Sequence, residues 1–113
     1  MGDSIFGKII RREIPADIVY EDDRCLAFRD INPQAPVHIL LVPKTAYPRL
    51  ADVPETEQAL MGHLLLKAAE IARAQGIGEA FRLVVNNGEG AGQTVFHLHL
   101  HILGGRGFRW PPG

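Results

Sequence analysis

The sequence predicts an α+β fold, with a five-stranded, mainly antiparallel sheet, one long helix and one short helix. Three observations support this prediction. The 113 residues, of which 46% are hydrophobic and 22% charged, are typical of one globular domain. Short apolar segments rich in β-branched residues follow one another closely, which favours antiparallel pairing. One longer stretch carries apolar residues at the helical period. We therefore expect a single domain over residues 1–113.

The first element predicted is the short helix. Apolar side chains recur at helical spacing between residues 5 and 10. We expect a helix over residues 4–12, capped by Asp3 or Ser4, because both types accept hydrogen bonds from free N–H groups at a helix start. Pro15 follows and ends the helix.

Three strands are predicted next. Residues 18–21 and 25–29 are apolar and β-branched, and the polar residues 22–24 join them as a turn. After a proline-containing loop, residues 38–43 are apolar enough to form a buried strand.

The second half of the chain predicts the long helix and two more strands. The helix begins at Pro54 and Glu55 and runs to about Gln75, where Gly76 supplies a stop signal. Its apolar stripe has the 3.6-residue period and comprises Leu60, Leu64, Ala68, Ile71 and Ala72. A strand over 82–86, a glycine-rich loop over 87–93 and a strand over 94–103 complete the chain.

Composition excludes several classes of partner. The net charge is −1, so no bulk positive field attracts nucleic acid or a membrane surface. No apolar run approaches the roughly 20 residues that span a bilayer. The one cysteine, Cys25, excludes an intramolecular disulfide, and we interpret it as a buried structural thiol. By default we expect a cytoplasmic protein.

The histidine run is the strongest functional signal. Three of the five histidines stand at alternate positions, His97, His99 and His101. Side chains alternate between the faces of a strand, so these rings are predicted to share one face, about 6.6 Å apart between neighbours. The intervening leucines and Ile102 would point into the core. Because burying three imidazoles without partners is costly, the pattern indicates a site.

Four interpretations of this run remain open from the residues alone. The rings could be structural, or two of them could bind zinc with His38 as a further ligand. They could belong to a nucleotide-binding module without chemistry. The interpretation we favour is nucleophilic catalysis, because a neutral imidazole is a good nucleophile near neutral pH and phosphorus is its natural electrophile.

The loop before the histidines is predicted to bind an anion. Gly88, Gly90 and Gly92 leave backbone N–H groups free of side-chain obstruction. Asn86, Gln93 and Thr94 add side-chain donors.

The pattern over residues 97–103, histidine alternating with hydrophobic residues, resembles the signature of the histidine triad (HIT) superfamily. Further segments resemble its Hint branch, the histidine triad nucleotide-binding proteins. These segments are residues 5–10 (IFGKII), 21–28 (EDDRCLAF), 30–36 (DINPQAP) and 104–113 (GGRGFRWPPG). The resemblance covers nearly the whole chain without large gaps, so it is highly specific.

The resemblance implies an activity and an assembly. It implies a homodimer whose two sheets join into one of ten strands. It also implies hydrolysis of the P–N bond of purine nucleoside phosphoramidates, without a metal or any other cofactor. It makes His99 the nucleophile, places His101 near the phosphate and leaving group, and puts His97 and His38 in the supporting network. Asp30 would bind the ribose hydroxyls.

The remaining implied contacts are to the phosphate and the base. Phosphate would be bound by Asn86, Gly92, Gln93, Thr94 and the backbone of Val95, and the purine would lie among Ile5, Phe6, Ile9, Phe28, Ile31 and Leu40. Two alternatives stay open: a dinucleoside polyphosphate hydrolase of the related Fhit branch, and a nucleotide-binding interaction protein without activity.

Overall fold

The computed structural model describes residues 3–113 and confirms the predicted α+β class. Two α-helices and five strands make up the fold, with short 3₁₀ turns at Leu50–Asp52, Glu55–Glu57 and Glu89–Ala91. In chain order the main elements are α1 (Ile5–Ile10), β1 (Ile18–Glu21), β2 (Cys25–Arg29), β3 (Val37–Pro43), α2 (Gln58–Ala74), β4 (Phe81–Val84) and β5 (Leu100–Gly104).

The five strands form one sheet in the order β1-β2-β3-β5-β4, and every neighbouring pair is antiparallel. β3 is the central strand. Its register against β5 places His38 opposite Leu103 and Leu40 opposite His101. Two histidines that are distant in sequence therefore meet at the middle of the sheet.

Each face of the sheet carries its own apolar layer. On one face, the stripe of α2 packs on alternate strand residues such as Ala27, Ile39 and Ile102. On the other face, α1 packs on the intervening residues, among them Phe28 and Leu40. This second layer is thinner because α1 has only 6 residues. The thin layer leaves room for a cavity.

Local sequence explains both helices. Ser4 caps α1, since its Oγ accepts a hydrogen bond from the Gly7 N–H at 3.0 Å. In α2 the predicted stripe is buried, and the helix ends where Gly76 adopts a left-handed φ of 80°.

The last predicted strand is too long. We expected a strand over 94–103, but only Leu100–Gly104 pairs in the sheet. Residues 95–97 bend, and the Leu98 N–H leaves the ladder to bond the Tyr47 carbonyl at 2.7 Å. Alternation persists nonetheless, because Leu98 contacts the α2 side while the flanking His97 and His99 lie against α1.

The other bounds differ from expectation by a few residues. β3 begins one residue earlier than predicted, at Val37, and β4 occupies Phe81–Val84 in place of 82–86. Within residues 3–113, none of the helices combines the length and apolar character that crossing a bilayer requires.

Truncating the core side of α2 tests this packing. The side chain of Leu64 is 1% exposed and packs against the sheet. Leu64→Ala should therefore lower the free energy of unfolding by about 2–5 kcal/mol, through the lost contacts and the cavity left behind. Ile31→Ala is the matched control, because Ile31 is 98% exposed and its truncation should change stability by about 0.5 kcal/mol or less. Urea unfolding measures both, and similar losses in the two variants would contradict the packing described.

Candidate active site

A cavity of about 300 Å³ lies between α1 and the sheet. Its walls are apolar, and its polar groups come from the histidine segment and from Asp30. The lining residues are Ile5, Phe6, Ile9, Ile14, Pro15, Ala16, Phe28, Arg29, Asp30, Ile31, Leu40, Thr94, Val95, His99 and His101. Such a cavity, apolar with a few converging polar groups, is typical of a small-molecule site.

The structure brings together most of the residues selected from the sequence. All six residues expected around the purine line the cavity, as do Asp30, Thr94 and Val95. Phe6 and Leu40 are buried in its wall, whereas Ile31 is 98% exposed and stands at the mouth. His38, His97, Asn86, Gly92 and Gln93 are not lining residues.

Sequence reasoning missed four lining residues: Ile14, Pro15, Ala16 and Arg29. Pro15 had been interpreted only as the end of α1. It also turns the chain back so that the 14–16 segment closes one side of the cavity. The apolar character of that segment is visible in the sequence, but nothing local indicates which surface it faces.

His99 has a defined tautomer. Its Nδ1 lies 2.7 Å from the His97 carbonyl oxygen, and a carbonyl can only accept, so we assign the ring proton to Nδ1. The lone pair of the neutral ring is therefore on Nε2. The ring lines the cavity, and its edge packs on Phe6 with centroids 4.9 Å apart. His99 thus offers a free nucleophilic nitrogen beside an apolar cavity.

His97 is held from both sides. Its Nε2 donates to the Pro43 carbonyl at 2.7 Å, which leaves Nδ1 as an acceptor, 3.2 Å from the Ser4 hydroxyl. The side chain is 1% exposed. His97 therefore supports His99, because its backbone carbonyl accepts the hydrogen bond from His99 Nδ1.

His38 and His101 form a directed chain of hydrogen bonds. The Gln34 N–H donates to His38 Nδ1 at 3.0 Å, so the proton of neutral His38 is on Nε2. That proton points to Nδ1 of His101, which lies 2.9 Å from His38 Nε2. An Asp30 carboxylate oxygen lies 3.4 Å from His38 Nε2. His101 must then carry its own proton on Nε2. The Nε2–H of His101 can therefore donate a hydrogen bond to a molecule in the cavity, whereas the Nε2 lone pair of His99 can attack it.

Burial keeps these imidazoles neutral. It lowers the pKa of His38, His97 and His99 below the usual 6.5. The pKa of His101 falls to about 4, because burial and then the neighbouring His99 and His38 disfavour its charged form. The lowered pKa of His99 therefore favours the neutral ring, with its lone pair on Nε2, near neutral pH.

The glycine-rich loop differs from the expectation. The N–H groups of Ala91 and Gln93 bond the Gly88 carbonyl at 3.1 Å, and the Gly92 N–H bonds Glu89 at 3.0 Å. Gly88 and Gly92 have φ of 91° and 95°, which allows this tight turn. Most of the loop N–H groups we expected to bind an anion are thus engaged within the loop.

Gln93 and Asn86 also have different positions from those expected. Gln93 is 3% exposed, and its amide accepts from Gly88 N–H and donates to the Pro48 and Val95 carbonyls. Asn86 lies beside Gly92, away from the lining. We therefore assign Gly92 and Gln93 to shaping the loop, while the phosphate contact of Asn86 stays a prediction.

Two backbone donors remain for an anion. Thr94 and Val95 line the cavity, and within residues 3–113 their N–H groups have no hydrogen-bond partner. The Thr94 hydroxyl adds a third donor at the same place. The donors that the structure leaves available to an anion are therefore those of the residues that follow the glycines.

Two clusters contain metal-ligand types but fit a metal poorly. In each of Asp30-His38-His101 and Asp22-Cys25-His63, the ligand atoms lie within 4.8 Å of one another. A metal-bound histidine normally donates its other ring N–H to an acceptor. Here His38 Nδ1 faces the Gln34 N–H, and His63 Nδ1 faces a guanidinium nitrogen of Arg24 at 3.0 Å.

The second cluster has a further conflict with zinc. Burial and the nearby Asp22 carboxylate raise the pKa of the Cys25 thiol to about 12, which opposes the thiolate that zinc requires. The His63 ring instead donates to Asp22 at 2.6 Å and ties α2 to the turn between β1 and β2. In both clusters the histidine nitrogens are engaged in hydrogen bonds within the protein.

The fold and the site define the class: a small α+β protein in which hydrogen-bonded neutral imidazoles border an apolar cavity on one face of an antiparallel sheet. The HIT domain family profile matches residues 11–108. The chain therefore belongs to the HIT domain family, as the resemblance in its sequence had indicated.

Individual relatives agree over nearly the full length. An uncharacterized HIT-like protein of Synechocystis is 69% identical over 111 residues, covering 98% of this chain and 97% of the relative. A 14 kDa zinc-binding protein of Brassica juncea is 50% identical over 113 residues, covering 98% and 100%. The crystal structure of a HIT family hydrolase from Legionella pneumophila superposes with a TM-score of 0.94 at 48% identity, covering 96% and 98%.

The lowered histidine pKa values predict a pH dependence of stability. In the unfolded chain the histidines bind protons as the pH falls below their usual pKa of 6.5. In the folded protein the pKa of His101 is about 4, so this ring stays neutral until the pH approaches that value. The free energy of unfolding should therefore decrease as pH falls through this window. Urea unfolding at a series of pH values measures it, and a flat or rising stability between pH 6.5 and 4 would count against neutral buried rings.

Proposed function

We propose that this chain hydrolyses the P–N bond of purine nucleoside 5′-phosphoramidates, such as adenosine 5′-monophosphoramidate or AMP-lysine, through a nucleotidyl-histidine intermediate on His99. The observation that carries the proposal is the His99 ring at the cavity, whose Nδ1 lies 2.7 Å from the His97 carbonyl oxygen and thereby leaves Nε2 available for attack. The resemblance to the Hint branch supports this activity, and the similarity to a HIT family hydrolase from Legionella pneumophila supports hydrolysis as the class of reaction.

The first step is attack by His99 Nε2 on the α-phosphorus. A P–N bond to the ring forms as the bond to the departing amine breaks, and the ring becomes positively charged. The His97 carbonyl, 2.7 Å from Nδ1, stabilises that charge because the retained proton still donates to it. Charge on the phosphate oxygens is met by the N–H groups of Thr94 and Val95.

The departing nitrogen takes the bond's electron pair and needs a proton. The substrate nitrogen brings that proton when it enters already protonated, so it leaves as a neutral amine. The His101 Nε2–H can orient the departing nitrogen by a hydrogen bond, and the His38 Nε2–H, which donates to His101 Nδ1 at 2.9 Å, holds the His101 ring for this role. In the second step water attacks the same phosphorus, AMP leaves, and His99 recovers its neutral form. The products are AMP and an amine.

The cavity suits a purine nucleoside. Phe6 and Phe28 meet edge to face, with ring centroids 5.5 Å apart, and present a rigid apolar wall for a flat base. Asp30 is held by the Asn32 N–H at 2.8 Å, so one carboxylate oxygen is positioned and the other faces His38. At the cavity wall it can accept from ribose hydroxyls.

His99→Ala should reduce kcat for adenosine 5′-monophosphoramidate by about 10³-fold or more while AMP binding remains measurable, because the variant lacks the nucleophile but retains the base pocket. His63→Gln is the matched control, since this histidine is bonded to Asp22 and lies outside the cavity lining. Steady-state kinetics and AMP titration measure both. Near-normal turnover in His99→Ala would refute the nucleophile assignment.

Rapid-quench experiments separate the remaining alternatives. We expect a burst of amine release and a nucleotidyl group mapped to His99 by mass spectrometry. AMP binding without such a burst indicates a nucleotide-binding interaction protein. Faster cleavage of a P–O–P bond in a dinucleoside polyphosphate than of the P–N bond indicates the polyphosphate hydrolase.

We also propose that the protein is a homodimer. β4 stands at one edge of the sheet, where its outward N–H and C=O groups are available for pairing with a second copy. Leu50, Leu65 and Leu66 are 44%, 56% and 74% exposed, an apolar surface that a monomer would leave in water. Edge-to-edge pairing would give the sheet of ten strands.

Sedimentation equilibrium tests the assembly. We expect a mass twice the 12.4 kDa of one chain. Leu65→Glu should shift the distribution toward single chains, because it places a charge on the exposed apolar surface. A mass of 12.4 kDa for the unmodified protein over the whole concentration range would contradict the proposal.

A further inference from the structure

Ser4 lies between the start of α1 and the histidine network. Its hydroxyl oxygen accepts from the Gly7 N–H at 3.0 Å and lies 3.2 Å from His97 Nδ1. Ser4 and His97 are 93 positions apart in the sequence. No local pattern connects them, and only the fold reveals the contact.

The direction of this hydrogen bond is fixed by its surroundings. His97 Nε2 faces the Pro43 carbonyl at 2.7 Å, so the ring proton is there and Nδ1 can only accept. The hydroxyl of Ser4 has one proton, and its oxygen already accepts from Gly7. Ser4 must therefore donate to His97 Nδ1.

A continuous series of contacts leads from this hydroxyl to the nucleophile. Ser4 and Pro43 fix the ring of His97, and the backbone carbonyl of His97 orients His99 through the 2.7 Å bond to Nδ1. Phe6, two residues after Ser4, packs on both rings, with centroids 6.2 Å from His97 and 4.9 Å from His99.

We propose that Ser4 is a positioning residue: its hydroxyl donates to Nδ1 of His97, anchors the ring opposite the Pro43 carbonyl that bonds Nε2, and thereby aligns His99 for attack. The inference rests on the proposed nucleophilic role of His99. It gives α1 two tasks in one short element, since its side chains line the base pocket while its cap reaches the catalytic histidines. A serine that served only as a helix cap would affect α1 and the base pocket alone.

Three substitutions separate the donor role from the cap role. Ser4→Ala removes both. Ser4→Asp keeps a good cap but replaces the donor with a carboxylate that only accepts. Ser4→Thr keeps the hydroxyl and both roles. Lys8→Gly is a further control, because it weakens α1 at an exposed position away from the histidines.

We expect Ser4→Ala and Ser4→Asp to lower kcat by about fivefold or more, the scale of one lost hydrogen bond, with a smaller change in KM. Ser4→Thr should restore kcat to within about twofold of the unmodified protein. Lys8→Gly should raise KM and leave kcat unchanged, because it loosens the pocket wall only. Steady-state kinetics with adenosine 5′-monophosphoramidate measures all four.

Imidazole nitrogen NMR supplies a readout that a cap alone would not move. In the unmodified protein the His97 signals should show a proton on Nε2 and a lone pair on Nδ1. In Ser4→Asp the carboxylate should draw a proton onto Nδ1. Lys8→Gly should leave the His97 signals unchanged.

The inference is overturned if Ser4→Asp keeps a normal kcat, if Ser4→Thr falls as far as Ser4→Ala, or if His97 keeps one tautomer in every variant. Failure of the proposed function looks different, because the unmodified protein would then release no AMP from the phosphoramidate. The His97 tautomer would in that case still report whether Ser4 donates to it.

Discussion

The site depends on one constraint: a neutral imidazole carries one proton for two nitrogens. Once a group of fixed character bonds one nitrogen, the role of the other is decided. The His97 carbonyl, a pure acceptor, bonds His99 Nδ1, and the Gln34 N–H, a pure donor, bonds His38 Nδ1. These two contacts leave His99 with a free lone pair on Nε2, and they leave His101 with an Nε2–H that can donate a hydrogen bond. Burial reinforces both outcomes, because it lowers the pKa of His99 and His101 and so disfavours rings protonated on both nitrogens.

The fold supplies these fixed groups from its backbone. β3 is the central strand, and its ends provide the Pro43 carbonyl on one side of the site and His38 on the other. The histidine segment leaves the ladder before β5, which frees the His97 carbonyl for a ring instead of a neighbouring strand. The departure from regular structure is therefore part of the catalytic arrangement that we propose. The thin layer of α1 then leaves a cavity against which the reactive ring can lie.

Much of this architecture could be predicted from the sequence. The stripe from Leu60 to Ala72 predicted α2 and its buried face, and short-range alternation predicted the strands and the shared side of the histidines. The early start of the last strand was wrong, because the bonds that interrupt it involve Tyr47, which is distant in sequence. The glycine loop was expected to bind phosphate, yet its N–H groups close on the loop itself. Local composition shows that a backbone can turn, but it does not show which donors remain free afterwards.

The proton positions are the central claim, and a neutron crystal structure of the deuterium-exchanged protein at neutral pH observes them directly. The account predicts a deuterium on Nδ1 of His99, none on its Nε2, and a deuterium on Nε2 of both His38 and His101. A deuterium on Nε2 of His99, or a doubly protonated His99 ring, would leave the site without a nucleophile and would contradict the account.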